Sequence, residues 1–300
     1  MRDQRDALVH AALARWPEHD WPAATAHHGA FHLVLTLPDG PTLRAVLGQR
    51  GQERSEREAG TLTAIGAAAM PVPVPHVLDG PHQDDATGLW MTLLSTVPGV
   101  PTSDLDSCTD QRLRQYAGLL GALRAASPAV GGSLPPVRAW CGGEDWPHIV
   151  RCDLLPRLSR SAAAVAEQRV QGVLEAEQGI EPVLCHGDFG PHNILWAQGS
   201  AASLIDLDHA CLGDPAIDLA PLIGFHGATR VAELAAPEVI ERARAHRATL
   251  PLQVAAAAQL AGIGQLRDHA LGNVERRVAE GTLFDPELTS GGPGRAPSPT

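Results

Sequence analysis

Two short, turn-rich stretches of the chain concentrate side chains able to do chemistry. The first reads His186-Gly187-Asp188-Phe189-Gly190-Pro191-His192-Asn193 and the second Ile205-Asp206-Leu207-Asp208-His209. Between them the apolar runs Ile194 to Trp196 and Ser203 to Ile205 flank a turn at Gln198-Gly199-Ser200. That is a hairpin pattern, and it gathers Asp188, Asn193 and Asp206 around one point. Two carboxylates and an amide in that arrangement suit phosphoryl transfer, in which the protein mainly positions reactants and neutralises charge around a loose transition state. Asp188 is the candidate to orient an acceptor hydroxyl and take its proton. Asp206 and Asn193 are the candidate magnesium ligands, being hard oxygen donors without excess negative charge. Singly, an Asp after Gly is a turn residue and an Asn before Ile-Leu is a cap, so the argument rests on their order across the hairpin. His186, His192 and His209 have the residue types for zinc but no ligand spacing.

The second stretch continues into Gly213-Asp214-Pro215 and Asp218-Leu219-Ala220. His186-Gly187-Asp188 with Asn193, then Ile205-Asp206, then these two elements, resembles the signature of the aminoglycoside phosphotransferase family, whose fold is that of the protein kinases. The resemblance covers about residues 30 to 285. It implies that Asp188 is the catalytic base, that Asn193 and Asp206 hold magnesium, that His186 is a structural residue of the catalytic loop, and that Asp218 stabilises the loop architecture. It also implies ATP as donor, with GTP as the alternative, and a small-molecule hydroxyl as acceptor.

In the first part of the chain the same resemblance assigns nucleotide-binding roles. Arg44, at the end of a hairpin, stands where kinases carry a phosphate-binding Lys, and Glu58 stands where its helix partner does. Arg is a planar fork and Lys a point charge, so the exchange alters how phosphates are met. Gly29 marks a loop tip over the phosphates. Leu93-Leu94-Ser95-Thr96-Val97-Pro98-Gly99 resembles the hinge, with the Ser95 carbonyl and Val97 amide reading adenine, and Leu195 and Ile205 as part of the apolar floor with Ile194. For the acceptor site only loose candidates exist: Glu144, Asp145, Asp153, Asp268 and Glu275.

The elements that must hold these residues are legible in outline. Helical spacing runs from Asp3 to Ala14, alternation over residues 31–37 and 42–47 around Pro38-Asp39-Gly40 predicts a β-hairpin, and a charged helix follows from Glu53 to about Ala69. The proline-rich Met70 to Leu78 runs extended, and Leu89 to Leu94 is a strand. Further helices are predicted over 110–126, 157–177, 233–247 and 253–280. The fold class is therefore α+β and bilobal: residues 1–97 form a nucleotide-binding lobe with an antiparallel sheet, a hinge lies at about 94–99, residues 98–285 form a mostly helical catalytic and acceptor-binding lobe, and 286–300 is a disordered tail.

A formal net charge of −11 argues against a nucleic-acid partner and suits a cationic acceptor. Five cysteines without a CxxC pair indicate neither a disulfide framework nor a zinc ribbon and fit a reducing cytoplasm. No apolar run is long enough for a membrane span. The expected protein is a cytoplasmic, ATP- and magnesium-dependent phosphotransferase, monomer or homodimer, acting on a cationic antibiotic such as an aminoglycoside or basic cyclic peptide. The alternatives are a metabolic kinase of the same fold, with a homoserine, choline, sugar or macrolide acceptor, and a pseudokinase that binds without turnover.

Overall fold

The computed structural model describes residues 2 to 287 apart from Ala69. The predicted hairpin forms the middle of an antiparallel sheet as β2 (His32–Thr36) and β3 (Thr42–Val46), in register from His32↔Val46 to Thr36↔Thr42. With β1 (Thr25–His28), β4 (Val77–Gln83) and β5 (Trp90–Leu94) it makes five strands in the order β1-β2-β3-β5-β4. β1 is not announced by the sequence. It is a mostly exposed edge strand held by its backbone pairing to β2, so it needs no apolar alternation of its own.

Period-two alternation gives the two faces of this sheet different surroundings. Leu33, Leu35, Leu43, Ala45, Met91 and Leu93 bury on one side against α1 (Arg2–Arg15), whose Leu8, Val9, Ala11 and Ala12 share a core with Trp16 and Trp21. Val34, Thr36, Arg44, Thr92 and Leu94 lie on the other side, toward α2 (Gly51–Ala67) and a cavity.

Beyond β5 the chain is mainly helical. α3 (Asp110–Val130) starts on Thr109, whose hydroxyl accepts the Arg112 N–H, and after the short α4 (Trp146–Ile149) and a π-helical turn at Val150–Leu154, α5 (Arg160–Ala176) starts on Ser159 in the same way. Four more helices follow: α6 (Leu219–His226), α7 (Ala228–Val231), α8 (Pro237–Leu260) and α9 (Gly264–Glu280). The break predicted between 247 and 253 is absent. α8 runs through Pro251, because Ala248, Leu252, Ala255 and Ala256 around it are completely buried and their packing outweighs one missing N–H; the chain turns at 261–263 instead. α3 passes through Pro128 in the same manner.

Two small sheets position the reactive stretches. β7 (Val183–Cys185) pairs with β10 (Cys211–Gly213), and β6 (Val100–Pro101) adds to the predicted hairpin of β8 (Ile194–Ala197) and β9 (Ser200–Leu204). The Ser203 hydroxyl donates to the Pro98 carbonyl at 2.6 Å, so the strand of chain leaving the large sheet is tied to the hairpin that carries the reactive residues. A core of Leu62, Ile65, Tyr116, Phe189, Ile194 and Leu204 continues from α2 through α3 into that hairpin.

A second junction joins the β3–α2 loop to the α8–α9 turn. The Gln49 N–H donates to the Ala261 carbonyl at 2.7 Å, and Phe31 packs against the helical core that includes Trp146, Val170 and Leu252. Gly48 makes this approach feasible: its φ is +84°, and a Cβ there would run into the Ala261 carbonyl oxygen. At the other end, Glu287, assigned by sequence to the tail, is held by the Thr229 N–H at 3.0 Å; the rest of the predicted tail, residues 288–300, lies outside the described residues, as does Ala69 at the predicted end of α2. No helix among the described residues is long and apolar enough to cross a membrane. Gly48→Ala is expected to lower stability by about 1–3 kcal/mol, since both backbone conformation and contact are lost. Urea melts check this, and an unchanged midpoint would mean that the two loops part without cost.

Candidate active site

His186 to Asn193 leave β7 as a tight loop braced from below. The Asp218 carboxylate, at the start of α6, accepts the backbone N–H groups of His186 and Gly187, each at 2.9 Å. The His186 ring is completely buried, and its Nε2–H donates to the Ile205 carbonyl at 2.9 Å, which fixes the end of β9 against the loop. Burial holds the imidazole below its usual value, consistent with a neutral donor. Gly187 has φ +86° and lies so close that a Cβ would strike the His209 carbonyl. His186 and Asp218 thus meet at this loop, and both bond to backbone.

Asp188 sits half-buried at the loop's end. Its Oδ2 accepts from the Asn193 amide at 3.1 Å and faces His192 Nε2 at 3.3 Å, while the Asn193 Nδ2 also donates to the Asp188 carbonyl at 2.9 Å. Oδ1 of Asp188 engages no partner among the described residues. Burial works against the Asp188 charge, but His192 outweighs it and the carboxyl lies below its ordinary value; the same contact raises His192 against its own burial. Because Asn193 uses its N–H groups on Asp188, its Oδ1 is left as a free oxygen donor.

Asp206 follows β9 in the left-handed region, φ 64° and ψ 51°, a conformation that costs a non-glycine residue energy and clusters at functional sites. The Ile205 N–H donates to the Asn193 carbonyl at 3.0 Å, so Asp206 is carried beside the Asp188–Asn193 pair, near enough for its charge to raise His192. Its Oδ1 accepts from Arg44 Nη1 at 2.6 Å. Arg44 reaches across from β3, and its Nη2 donates to Asp208 Oδ2 at 3.0 Å and to His32 Nδ1 at 3.0 Å, with Nε 3.6 Å from Glu58 Oε2. Glu58 is itself buried and bonded to His32 Nε2 at 2.9 Å.

The charges follow. Burial opposes the Arg44 cation, but Asp206, Asp208 and Glu58 more than offset it and raise its pKa. Burial likewise opposes the Glu58 anion, yet His32 and then Arg44 bring it down to about 2. Asp206 is lowered against burial, chiefly by Arg44, whereas burial and then Asp206 push Asp208 up. Three carboxylates surround one guanidinium, an excess of negative oxygen that fits a divalent cation and its attendant phosphates.

This cluster lies at the inner end of a cavity of about 400 Å³ roofed by the large sheet. Arg44, Glu58, Ser95, Val97, Leu195, Ile205 and Asp206 all line it. The Ser95 N–H donates to the His76 carbonyl at 2.8 Å, while the Val97 N–H has no backbone partner among the described residues. Gly29 lies in the β1–β2 turn, its N–H bonded to the His32 carbonyl at 2.9 Å, and is not among the lining residues.

Sequence reasoning gave no role to His32, Asp208 or His192. His32 was findable: it is two residues from Val34, which pairs with Arg44, so strand parity places both on the cavity face. Of the acceptor-site candidates, Glu275 caps α5 by accepting the Ser159 N–H at 2.5 Å and hydroxyl at 2.8 Å, and Asp268 pairs with Arg267 at 2.7 Å. Glu144, Asp145 and Asp153 are exposed.

Comparison with known proteins gives one family match and three similar proteins. The model of the phosphotransferase enzyme family matches residues 33–252. Viomycin phosphotransferase of Streptomyces vinaceus is 29% identical over 258 residues, which are 79% of this chain and 87% of that protein. The GDP complex of wild-type aminoglycoside 2'-phosphotransferase-IIIa superposes with a TM-score of 0.70 at 15% identity, over 92% of this chain and 99% of that one. The macrolide 2'-phosphotransferase of Brachybacterium faecium superposes with a TM-score of 0.58 at 19% identity, over 91% and 98%. These likenesses establish the bilobal, protein-kinase-like fold.

Burial pushes the Asp218 carboxyl up to about 7, against the two backbone donors that favour its ionised form. A pKa raised on folding adds stability that is complete below the ordinary carboxylate value and is lost as pH rises through about 7. Relative to Asp218→Asn, the wild-type chain is therefore expected to lose stability between about pH 4 and pH 7. Denaturant melts of both proteins across that range check it; a constant difference would mean that Asp218 carries no extra proton.

Proposed function

Because the chain belongs to the phosphotransferase enzyme family, we propose that it is an ATP- and magnesium-dependent O-phosphotransferase that phosphorylates a hydroxyl of a cationic antibiotic, an aminoglycoside or a basic cyclic peptide. The observation that carries the reading is the meeting of Arg44, Asp206 and Asp208 at the inner end of the cavity, beside the Asp188–Asn193 pair. The acceptor class rests on the net charge of −11 and on the similarity to a protein named for viomycin. GTP is the alternative donor.

The residues divide the work by position. Residues 1–97 bind the nucleotide and 98–285 the acceptor, with the hinge at 94–99. The adenine lies between the sheet and the floor of Leu195 and Ile205, read by the Ser95 carbonyl and the Val97 N–H. Gly29 is assigned to the loop over the phosphates, and Arg44, steadied by Glu58, meets them. Asn193 Oδ1 and the Asp206 carboxylate hold magnesium, which supplies charge neutralisation at the phosphates.

Asp188 then acts through Oδ1, the oxygen that His192 and Asn193 leave free. It orients the acceptor hydroxyl toward the donor and receives its proton as the new bond from that oxygen to the γ-phosphorus forms, the bond from that phosphorus to the β–γ bridging oxygen breaks, and ADP leaves. A carboxylate held below its ordinary pKa is a weak base, which fits a loose transition state in which the proton leaves late and alignment matters most.

Asp188→Ala is expected to lower kcat by about three orders of magnitude or more while nucleotide affinity stays within about twofold, because alignment and proton acceptance are lost and the phosphate clamp is kept. Parallel losses of both would contradict the assignment. Asp206→Ala is expected to abolish the magnesium dependence of nucleotide binding, read by calorimetry with and without the metal. The acceptor is tested by incubating the protein with ATP and a panel of aminoglycosides and basic cyclic peptides, looking for a mass shift of one phosphate. Transfer only to homoserine, choline, a sugar or a macrolide would overturn the acceptor class, and nucleotide binding without any turnover would overturn the activity.

A further inference from the structure

His32 stands out because both its ring nitrogens face charged groups inside the protein. The side chain is 7% exposed, and Nε2 lies 2.9 and 3.0 Å from the two Glu58 carboxylate oxygens while Nδ1 lies 3.0 Å from Arg44 Nη2. A guanidinium nitrogen can only donate, so Nδ1 must accept. The remaining proton is then on Nε2, pointed at the carboxylate. This assigns a donor and an acceptor role to the two ring nitrogens and makes the ring a wire from Glu58 to Arg44.

The same logic accounts for every hydrogen of the fork. Nη2 has two, directed to His32 Nδ1 and Asp208 Oδ2, and two bonds on one nitrogen set the plane of the whole guanidinium. Nη1 gives one hydrogen to Asp206 and has the other left. Nε is buried without a hydrogen-bond partner, and at 3.6 Å Glu58 is too far to hold it. Glu58 therefore steadies Arg44 chiefly through His32. An ammonium in place of this fork would need no such orientation, being a point charge with rotating donors.

We propose that His32 is a positioning residue for phosphate binding: it couples Glu58 to Arg44 Nη2 and fixes the plane in which Arg44 presents its remaining Nη1 hydrogen to the nucleotide. This rests on the nucleotide reading of the cavity given above. His32 touches no substrate, and its effect passes entirely through Arg44.

Two substitutions separate the ring's two contacts. His32→Asn carries an acceptor where Nδ1 lies but does not reach Glu58; His32→Gln reaches Glu58 where Nε2 lies but offers Arg44 nothing. With the magnesium complex of AMP-PNP titrated calorimetrically, His32→Asn is expected to keep the Kd within about threefold of wild type and His32→Gln to weaken it about tenfold, the scale of one charge-assisted hydrogen bond. In an Arg44→Lys background, which has no Nη2, the two variants are expected to bind alike. Thermal melts show which variants are folded. Should His32→Asn not fold, His32→Gln against wild type still decides, and a folded His32→Gln with unchanged Kd overturns the proposal. So does a Gln variant that binds as well as Asn, or a tenfold gap that persists in the Arg44→Lys background. If wild type itself binds no nucleotide, the functional reading fails, a result distinct from wild-type binding with the wrong ranking of variants.

Discussion

The guanidinium of Arg44 is where the two halves of the molecule are electrically joined. It belongs to the large sheet, yet two of its three carboxylate neighbours, Asp206 and Asp208, come from the loop after β9, and the third, Glu58, from α2. Each of these charges would be costly to bury alone, and removing one partner of such a group typically costs about 3–5 kcal/mol. Together they are tolerable only when β3, α2 and the β9 loop are held in one arrangement. Much of the remaining structure has this effect: β6 and the Ser203–Pro98 bond fasten the crossing chain to the β8–β9 hairpin, and the Gln49–Ala261 contact ties the β3–α2 loop to the α8–α9 turn.

The loop from His186 to Asn193 solves a related problem with backbone. Asp218 and His186 meet no cavity; they collect the N–H groups and the carbonyl that a tight loop and a strand end would leave unpaired. Asp188 can then keep one oxygen free while the other is satisfied by Asn193 and His192. The left-handed backbone of Asp206 fits the same economy of placement. A strained residue persists because β9, the Asn193–Ile205 bond and Arg44 fix it from three directions.

Arg at this position instead of an ammonium has consequences for its neighbours. A planar fork is useful only if its plane is set, and setting it takes acceptors at defined places. His32 and Asp208 provide them on Nη2, and with Asp206 on Nη1 the donor count of the fork is nearly filled. At the cavity's end carboxylates outnumber the one guanidinium that they surround. Raised Asp208 and lowered Asp206 show the same crowding from two sides.

The local chemistry was legible in the residues themselves. His186-Gly187-Asp188, Asn193 and Asp206 were readable as standing on either side of one hairpin, with Asp218 following it, because turn residues and alternating strands are short-range features. Arg44, Glu58 and the hinge could be placed from the same resemblance. Other features depended on packing that no local pattern encodes. Pro251 reads as a break, yet buried alanines carry α8 through it; β1 has no apolar signature because an edge strand is held by backbone alone. Asp208 and His32 were ordinary residues in the sequence. They are brought to Arg44 only where the sheet and the loop after β9 meet, and no local pattern encodes that distance to a guanidinium from another part of the chain.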